Sequence, residues 1–184
     1  MAKLIVFNSV SIDGYFTDRN GDMSWAYNRD PDWDEFTAAN ASGGGTLVFG
    51  RITYQMMANY WPSEAALKAQ PSVARAMNAH SKLVFSQTLK DASWSNTRLV
   101  KTDPAQEIRK LKSEDGPGMA VLGSGTIVAQ LAQARLIDEL QLVVVPIAIG
   151  AGRTLFDGIT ERLRFKLISS RAFKNGNVVN TYSQ

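Results

Sequence analysis

Short runs of apolar residues, each about the length of a strand, alternate with helical patterns along this chain. The runs are rich in Val, Ile, Leu and Phe and lie at 4–12, 46–50, 82–86, 97–101, 119–123 and 139–147. The helical patterns lie between them, at 32–41, 51–59, 63–80, 104–112 and 125–134. Because continuous apolar runs indicate strands covered on both faces, this order predicts an α/β fold with a largely parallel central sheet.

The last part of the chain has a different pattern. The segment "RFKLISSRAFKNGNVVNTYS", at 164–183, contains two alternating runs on either side of Asn175-Gly176. This pattern predicts an antiparallel β-hairpin with a tight turn. We expect the hairpin to extend one edge of the central sheet, and residues 1–184 to form a single domain.

Composition and charge narrow the possible functions. The chain has 184 residues, 45% of them apolar, and a net charge of +3 with no basic run, so nucleic acid is not an expected partner. The absence of cysteine excludes disulfides and thiolate chemistry, and a single histidine, His80, makes a zinc site or a serine triad improbable. No signal peptide or membrane segment is recognisable, so we expect a cytoplasmic protein without membrane contact.

The stretch "TLVFGRITY", at 46–54, predicts a strand that ends at Gly50 and a helix that begins at Arg51. A helix N-terminus exposes unpaired backbone N–H groups and therefore suits an anion. Gly50 lets the backbone approach a ligand closely, and Arg51 can hold a phosphate with two charge-assisted hydrogen bonds. The alternative is an ordinary structural turn that carries a surface arginine.

A second glycine turn, "MAVLGSGTIVAQL" at 119–131, repeats this arrangement. Its strand ends at Gly123-Ser124-Gly125, and either Ser124 or Thr126 can cap the helix that follows. The pattern falls short of the dinucleotide fingerprint, because Val128 stands in place of the third glycine. Parallel strands present their carboxyl ends at one edge of a sheet, so we expect both turns, together with "FSQT" at 85–88, to lie on the same rim.

Carboxylates are the remaining candidates for moving a proton. Asp13 ends the first predicted strand, and Asp32 and Asp34 lie in the first turn of the helix predicted at 32–41. Each also fits a structural role, since Asp13 can close a turn and acids at a helix start face the positive end of the helix dipole.

Taken together, these motifs resemble the dihydrofolate reductase superfamily over nearly the whole chain, including the reductase domain of riboflavin-biosynthesis deaminase-reductases. "SIDG" at 11–14 and "PIAIGAG" at 146–152 resemble the riboflavin branch. "NGDMSW" at 20–25 resembles the mobile methionine loop of dihydrofolate reductases, and "GRIT" at 50–53 resembles their NADPH-binding turn. The resemblance implies the three-layer dihydrofolate reductase-like fold, with NADPH as cofactor.

The resemblance also assigns residues to the site. Those implied for NADPH are Gly50, Arg51, Thr53, Ser86, Gln87, Gly123, Ser124, Gly125, Thr126 and Ile127. Met23 and Trp25 are implied to contact the substrate. For the acid that grips the substrate, spacing favours Asp34, whereas alignment on Phe36 favours Asp32, and Asp13 remains a third candidate.

The expected function is therefore NADPH-dependent reduction of a small pterin-like or aminopyrimidine heterocycle by a homodimer. A second possibility is a nucleotide-binding module without efficient turnover, because Leu122 stands where the riboflavin-type reductases carry glutamate. A third is a structural homodimer in which the glycine turns serve only packing and the apolar run at 139–147 lies partly in the interface. NADPH binding separates the third from the first two, and substrate-dependent NADPH oxidation separates the first from the second.

Overall fold

The computed structural model describes residues 2–184 of the chain. The strands are β1 (Leu4–Ser11), β2 (Thr17–Asp18), β3 (Thr46–Gly50), β4 (Ser81–Phe85), β5 (Thr97–Val100), β6 (Met119–Leu122), β7 (Glu139–Val145), β8 (Gly152–Arg153), β9 (Lys166–Ala172) and β10 (Val178–Ser183). The helices are α1 (Pro31–Ser42), α2 (Arg51–Tyr60), α3 (Glu64–Ala69), α4 (Pro71–Ala79), α5 (Pro104–Ser113) and α6 (Gly125–Gln133). No helix in the described range is long and apolar enough to cross a membrane.

One eight-stranded sheet runs through the molecule in the order β5-β4-β3-β6-β1-β7-β10-β9. The first six strands of this order are parallel, whereas β10 is antiparallel to both β7 and β9. The predicted mostly parallel sheet and the C-terminal antiparallel hairpin at its edge are therefore confirmed. The short strands β2 and β8, which the sequence pattern did not predict, pair separately.

Helices cover both faces of the sheet, because successive strand residues point to opposite sides. Val48 and Val121 are fully buried against α5 and α6, in a cluster that includes Ile108 and Leu131. On the other face, Phe49 belongs to a second cluster with residues of α2 and α4. A third cluster forms where Trp33 of α1 meets β7 and β10. The predicted three-layer fold follows from these clusters.

Two predicted elements differ in detail. The helix expected at 63–80 is two helices, α3 and α4, because Pro71 lacks the N–H that a continuous helix needs and instead starts a new one. The hairpin does turn at Asn175-Gly176, but its loop is longer than two residues. The Gly176 N–H donates to the Phe173 carbonyl oxygen, and Gly176 takes the left-handed conformation, with φ +88°.

A buried lysine joins three segments at the amino end of β4. The side chain of Lys82 is only 1% exposed, and its Nζ donates to the carbonyl oxygens of Asn78, His80 and Ser95 at 3.1, 2.7 and 3.1 Å. The ammonium group also lies 4.3 Å from the ring centre of Trp94. Burial lowers the pKa of Lys82 to about 8. This one side chain therefore ties the end of α4 and the loop before β5 to the sheet.

We expect Lys82→Met to lower the free energy of unfolding by about 1–3 kcal/mol at pH 7, because it leaves buried carbonyl groups without a donor. The pKa of Lys82 is near 8 when folded and 10.5 when unfolded, so between these values the unfolded chain binds more protons. The stability of the wild-type protein should consequently contain a component that rises with pH across this interval. Urea titrations from pH 7 to 10.5 measure both effects.

The matched control is Lys110→Met, which changes an exposed lysine on α5. It should leave both the stability and its pH dependence nearly unchanged. A pH dependence of Lys82→Met that equals that of the wild type would show that Lys82 titrates normally in the folded protein.

Candidate functional site

The two glycine turns lie at the carboxyl ends of the adjacent strands β3 and β6, and they bind each other directly. The Gly50 N–H donates to the hydroxyl of Ser124 at 2.7 Å. In return, the Ser124 N–H donates to the hydroxyl of Thr53 at 3.1 Å. The two turns that the sequence predicted on one rim therefore form one hydrogen-bonded unit, which we call the paired turns (residues 50–53 and 123–125).

Glycine is required in the paired turns for conformation and for space. Gly123 has a φ of +61°, and a Cβ atom there would lie 2.9 Å from the side chain of Thr53. Gly125 is packed still more tightly, since its Cβ would lie 2.7 Å from the ring of Phe16. At Gly50 a Cβ would meet Ser124 at 3.2 Å. The glycine pattern in the sequence thus reflects close packing between the two turns and of Gly125 against Phe16.

The helices that start at the paired turns, α2 and α6, have no side-chain cap. By contrast, α1, α3 and α5 are capped by the side chains of Asp30, Ser63 and Asp103. The sequence suggested that Ser124 or Thr126 caps α6; this is wrong for Ser124, whose hydroxyl accepts the Gly50 N–H instead, and Thr126 does not cap either. Among residues 2–184, nothing accepts the backbone N–H of Thr126. These helix ends therefore keep donors for an external anion.

Arg51 stands at the first position of α2 with an exposed side chain. Its guanidinium group donates to the neutral amide of Gln55 at 3.1 Å, and within residues 2–184 it forms no ion pair. Three other arginines, Arg29, Arg98 and Arg171, each pair with a carboxylate. Arg51 is thus a cation on the rim whose charge no carboxylate of the described chain neutralises.

The remaining residues predicted for the cofactor contribute mainly to local structure. The Ser86 hydroxyl accepts the N–H groups of Thr88 and Leu89 at 3.2 and 2.9 Å. The Gln87 side chain donates to the Lys101 carbonyl oxygen at 2.5 Å. Ile127 is buried on the core side of α6. Cofactor contacts from these side chains stay a prediction.

Between α1 and α2, one face of the sheet is less completely covered than the opposite face, and we call this strip of the sheet the groove. On the face toward α5 and α6, Val6 and Val121 of the central strands are fully buried. On the opposite face Phe7, Ser9 and Leu122 are only half-buried. Since Phe7 and Leu122 are register partners on neighbouring strands, they form a continuous, mostly apolar floor near the carboxyl ends.

An apolar stripe on α2 borders this groove. Ile52, Met56 and Tyr60 are 60%, 41% and 39% exposed and recur every four residues. Met56 and Tyr60 follow Thr53 by three and seven residues and therefore share its flank of the helix. That flank is the one toward β6, because Thr53 contacts the turn after β6. The stripe thus forms one wall of the groove.

The other wall includes the segment before α1, where Ser24–Ala26 form a short 3-10 turn. Trp25 is half-buried and packs with Phe7 and Phe36 against the cluster under α1. Its indole N–H donates to the Asp22 carbonyl oxygen at 3.2 Å. Met23 precedes this turn and is half-exposed. Of the two residues predicted to contact the substrate, Trp25 therefore lies in this wall of the groove and Met23 lies beside it.

Asp13 lies on the same rim, but its carboxylate is engaged in holding the loop after β7. It accepts the N–H of Ile149 at 3.1 Å and that of Gly150 at 2.7 Å. Hydrogen bonds from the Ser11 hydroxyl and from these N–H groups hold the pKa of Asp13 below its ordinary value. The Ser11 hydroxyl also lies 3.2 Å from the Tyr15 carbonyl oxygen. Asp13 is thus an ionised anchor of the rim.

The two acids of α1 lie on different flanks of that helix. Asp32 pairs with Arg171 of β9 at 2.6 Å, toward the outer edge of the sheet. Asp34 pairs with Arg29 at 2.6 Å, and Arg29 also donates to the Ala69 carbonyl oxygen at the end of α3. The structure does not bring the three candidate acids together, and it separates the two alternatives that the sequence left open. Arg29 was missed by the sequence analysis.

A comparison with known protein families identifies the family of this chain. The family described as the RibD C-terminal domain matches residues 2–179. The chain belongs to the RibD C-terminal domain family. Two relatives in Bacillus subtilis (strain 168), the uncharacterized proteins YyaP and YwjB, are 24% and 21% identical to it. The YyaP match covers 98% of this chain and 94% of YyaP, and the YwjB match covers 93% and 92%.

Solved structures agree with this membership. A candidate riboflavin biosynthesis protein from Shewanella sp. PV-4 superposes with a TM-score of 0.74 at 25% identity, over 100% of this chain and 98% of that one. A deaminase/5-amino-6-(5-phosphoribosylamino)uracil reductase from Thermotoga maritima gives 0.65 at 14% identity, over 99% of this chain and 56% of that one. At that identity the second likeness concerns the fold alone. This RibD C-terminal domain chain therefore corresponds to about half of the Thermotoga chain.

We expect Thr53→Val and Ser124→Ala each to lower the free energy of unfolding by about 1–3 kcal/mol, because each leaves a backbone N–H of the paired turns without its acceptor. The double variant should lose less than the sum of the two, since both bonds hold the same junction. Urea unfolding of the four proteins measures this coupling. Thr126→Val, at an exposed position on α6, is the control and should change stability by less than about 0.5 kcal/mol. Strict additivity would mean that the two turns are held independently.

Proposed function

We propose that this RibD C-terminal domain protein is an NADPH-dependent reductase of a small heterocycle of the pterin or aminopyrimidine kind. The observation that carries the proposal is the pair of uncapped helix starts at the paired turns, with the unneutralised Arg51 beside them. Membership in the RibD C-terminal domain family and the likeness to a deaminase/reductase support the same conclusion.

The residues present fit a phosphorylated nucleotide. The backbone N–H groups at the start of α6, of which that of Thr126 is unpaired, suit a pyrophosphate, because they combine free donors with the positive end of the helix dipole. Arg51 suits the 2′-phosphate that distinguishes NADPH from NADH, since a guanidinium group binds phosphate with two parallel hydrogen bonds. Gly50 and Gly123 let the two turns pack closely and so keep these N–H groups in place.

The groove between α1 and α2 suits the heterocycle. Its floor of Phe7 and Leu122 and its wall of Met56 and Tyr60 offer flat apolar surface to a ring. Trp25 on the opposite side would close the ring between two apolar walls. A bound nicotinamide supplies hydride, and the protein must orient the acceptor ring and let a proton reach it.

The proton is proposed to come from water that Asp34 orients. Asp34 accepts hydrogen bonds from Arg29, and its carboxylate could also accept one from a water molecule or from a ring N–H, so that the water would donate the proton. Asp13 holds the loop after β7, and Asp32 lies on the flank of α1 toward β9, so we assign this role to Asp34, on the flank toward α3.

One observation favours a second candidate function, a nucleotide-binding module without efficient turnover. Leu122 presents an apolar side chain to the groove floor where riboflavin-type reductases carry a carboxylate. A protein of this kind would bind NADPH at the paired turns and show no substrate-dependent oxidation. The homodimer expected from the sequence likewise stays a prediction.

We expect Arg51→Ala to weaken NADPH binding roughly ten- to a hundredfold while NADH binding is nearly unchanged, because it removes a charge-assisted hydrogen bond to the 2′-phosphate. Quenching of tryptophan fluorescence by each cofactor measures the two affinities. Arg109→Ala is the matched control, because it removes the same charge from an exposed position on α5. Equal losses for both cofactors would assign Arg51 to the fold or to a group that NADPH and NADH share.

We expect Asp34→Asn to reduce turnover at least about tenfold with NADPH affinity intact, because it replaces a carboxylate by a neutral amide that orients water less strongly. Asp32→Asn is the control, since it also deprives an arginine of its carboxylate partner but lies toward β9. Steady-state NADPH oxidation with dihydrofolate or 5-amino-6-(5-phosphoribosylamino)uracil as acceptor measures turnover. Full activity in Asp34→Asn would remove this acid from the mechanism, whereas no oxidation by the wild-type protein with either acceptor would favour the binding module.

A further inference from the structure

Asn177 carries a buried side-chain amide that has no hydrogen-bond partner. The residue is 0% exposed, and within residues 2–184 neither its Nδ2 nor its Oδ1 has a partner. Its backbone is fully bonded, because the N–H donates to Asn175 Oδ1 at 3.0 Å and the carbonyl oxygen accepts the Phe173 N–H at 2.8 Å. Folded proteins rarely bury a polar side chain without a partner, so a group from outside the chain is needed to satisfy this amide.

Comparison with other buried amides shows that Asn177 is unusual here. Asn8 is also buried, and its Nδ2 donates to the Gly123 carbonyl oxygen at 3.4 Å. Gln184 has an unpaired Oε1, but its Nε2 donates to the Ala132 carbonyl oxygen at 2.9 Å. In Asn177 the donor and the acceptor are both vacant, so they are available together.

Asn177 lies at the same rim as the groove. It immediately precedes β10, where Val178 is paired with Val144, and it therefore stands beside Val145 at the end of β7. Val145 is paired on its other side with Ser11 of β1. Because side chains alternate along a strand, Asn177 shares the face of Val179, which is the face that α1 covers.

The segment that leads into α1 closes over this region, and polar contacts fasten it. Trp25 and Ala26 pack against the cluster that contains Val145. Asn175 makes the attachment: its Nδ2 donates to the Asn28 carbonyl oxygen at 2.6 Å, and its carbonyl oxygen accepts the Asn28 Nδ2 at 2.8 Å. The Asn175 N–H also donates to Asp30 at 3.0 Å. Opening of the segment would require water to replace these polar bonds and Trp25 and Ala26 to leave the cluster.

We propose that the side-chain amide of Asn177 recognises the cyclic amide edge of the ring that enters the groove, when the segment 22–30 opens. A carboxamide presents one donor and one acceptor side by side, and the N–H and C=O of a lactam are its complement. Pyrimidinones and pterins both carry such an edge. The inference rests on the proposed function and identifies the part of the substrate that Asn177 would bind.

The experiment compares two ligands that differ only at this edge. Lumazine is a pteridine with free lactam N–H groups, and in 1,3-dimethyllumazine these groups are methylated. In the presence of NADPH, the wild-type protein should bind lumazine at least about tenfold more tightly, as measured by titration calorimetry, because the methylated ring cannot donate. Asn177→Leu should abolish this difference. It should also raise the midpoint of thermal unfolding, since it replaces an unsatisfied buried amide by an apolar group of similar size.

The control is Asn180→Leu, which changes a half-buried asparagine of β10 that is paired with Leu142 on the opposite face. It should keep the preference for lumazine. The proposal is overturned if Asn177→Leu retains the preference, if that variant is destabilised or fails to fold, or if the wild-type protein binds the two ligands equally or not at all. Fluorescence quenching by NADPH is measured on the same proteins, so that a wild-type protein that binds NADPH but does not prefer lumazine contradicts only the role of Asn177 and leaves the proposed function standing.

Discussion

The hydrogen bond from the Gly50 N–H to the Ser124 hydroxyl is the contact on which the rest of the rim depends. It joins the ends of β3 and β6 and thereby fixes the starting points of α2 and α6, which lie on opposite faces of the sheet. A serine hydroxyl that accepts this bond no longer caps its own helix. The interaction that makes the paired turns rigid is thus also the one that keeps helix donors free for an anion.

Much of the fold follows from the sequence because its determinants are local. The apolar runs predicted the six parallel strands, and Asn175-Gly176 predicted the turn of the hairpin. The sequence analysis predicted one helix at 63–80, and the break between α3 and α4 falls at Pro71, which lacks the N–H of a continuous helix. Strands of two residues, such as β2 and β8, have no periodicity to detect and form only because Gly152 allows close approach to Thr17.

Part of the candidate site could also be predicted, because its determinants are local in the sequence. The residues of the paired turns follow strands directly, so their place on the rim could be predicted from strand ends. The partners of the acids could not, because Asp32 meets Arg171 only after β9 has packed beside α1. Nor could the unpaired amide of Asn177 be anticipated, since it arises from the way the hairpin tip meets the segment 28–30. Propensity and periodicity describe elements, whereas these contacts join elements distant in sequence.

The hairpin tip also contains an asparagine, Asn175, that is open to deamidation. In an asparagine followed by glycine, the glycine nitrogen can attack the side-chain carbonyl carbon and expel ammonia, and water then opens the resulting cyclic imide to aspartate or its isomer. In the folded protein the Gly176 N–H is bonded to Phe173, and the Asn175 side chain is held by Asn28 and Asn177, so the attack is hindered. The reaction proceeds when the tip opens, and the carboxylate it produces can no longer donate to the Asn28 carbonyl oxygen. Each opening of the tip therefore allows irreversible deamidation of Asn175, after which the tip cannot form its original hydrogen bond to Asn28.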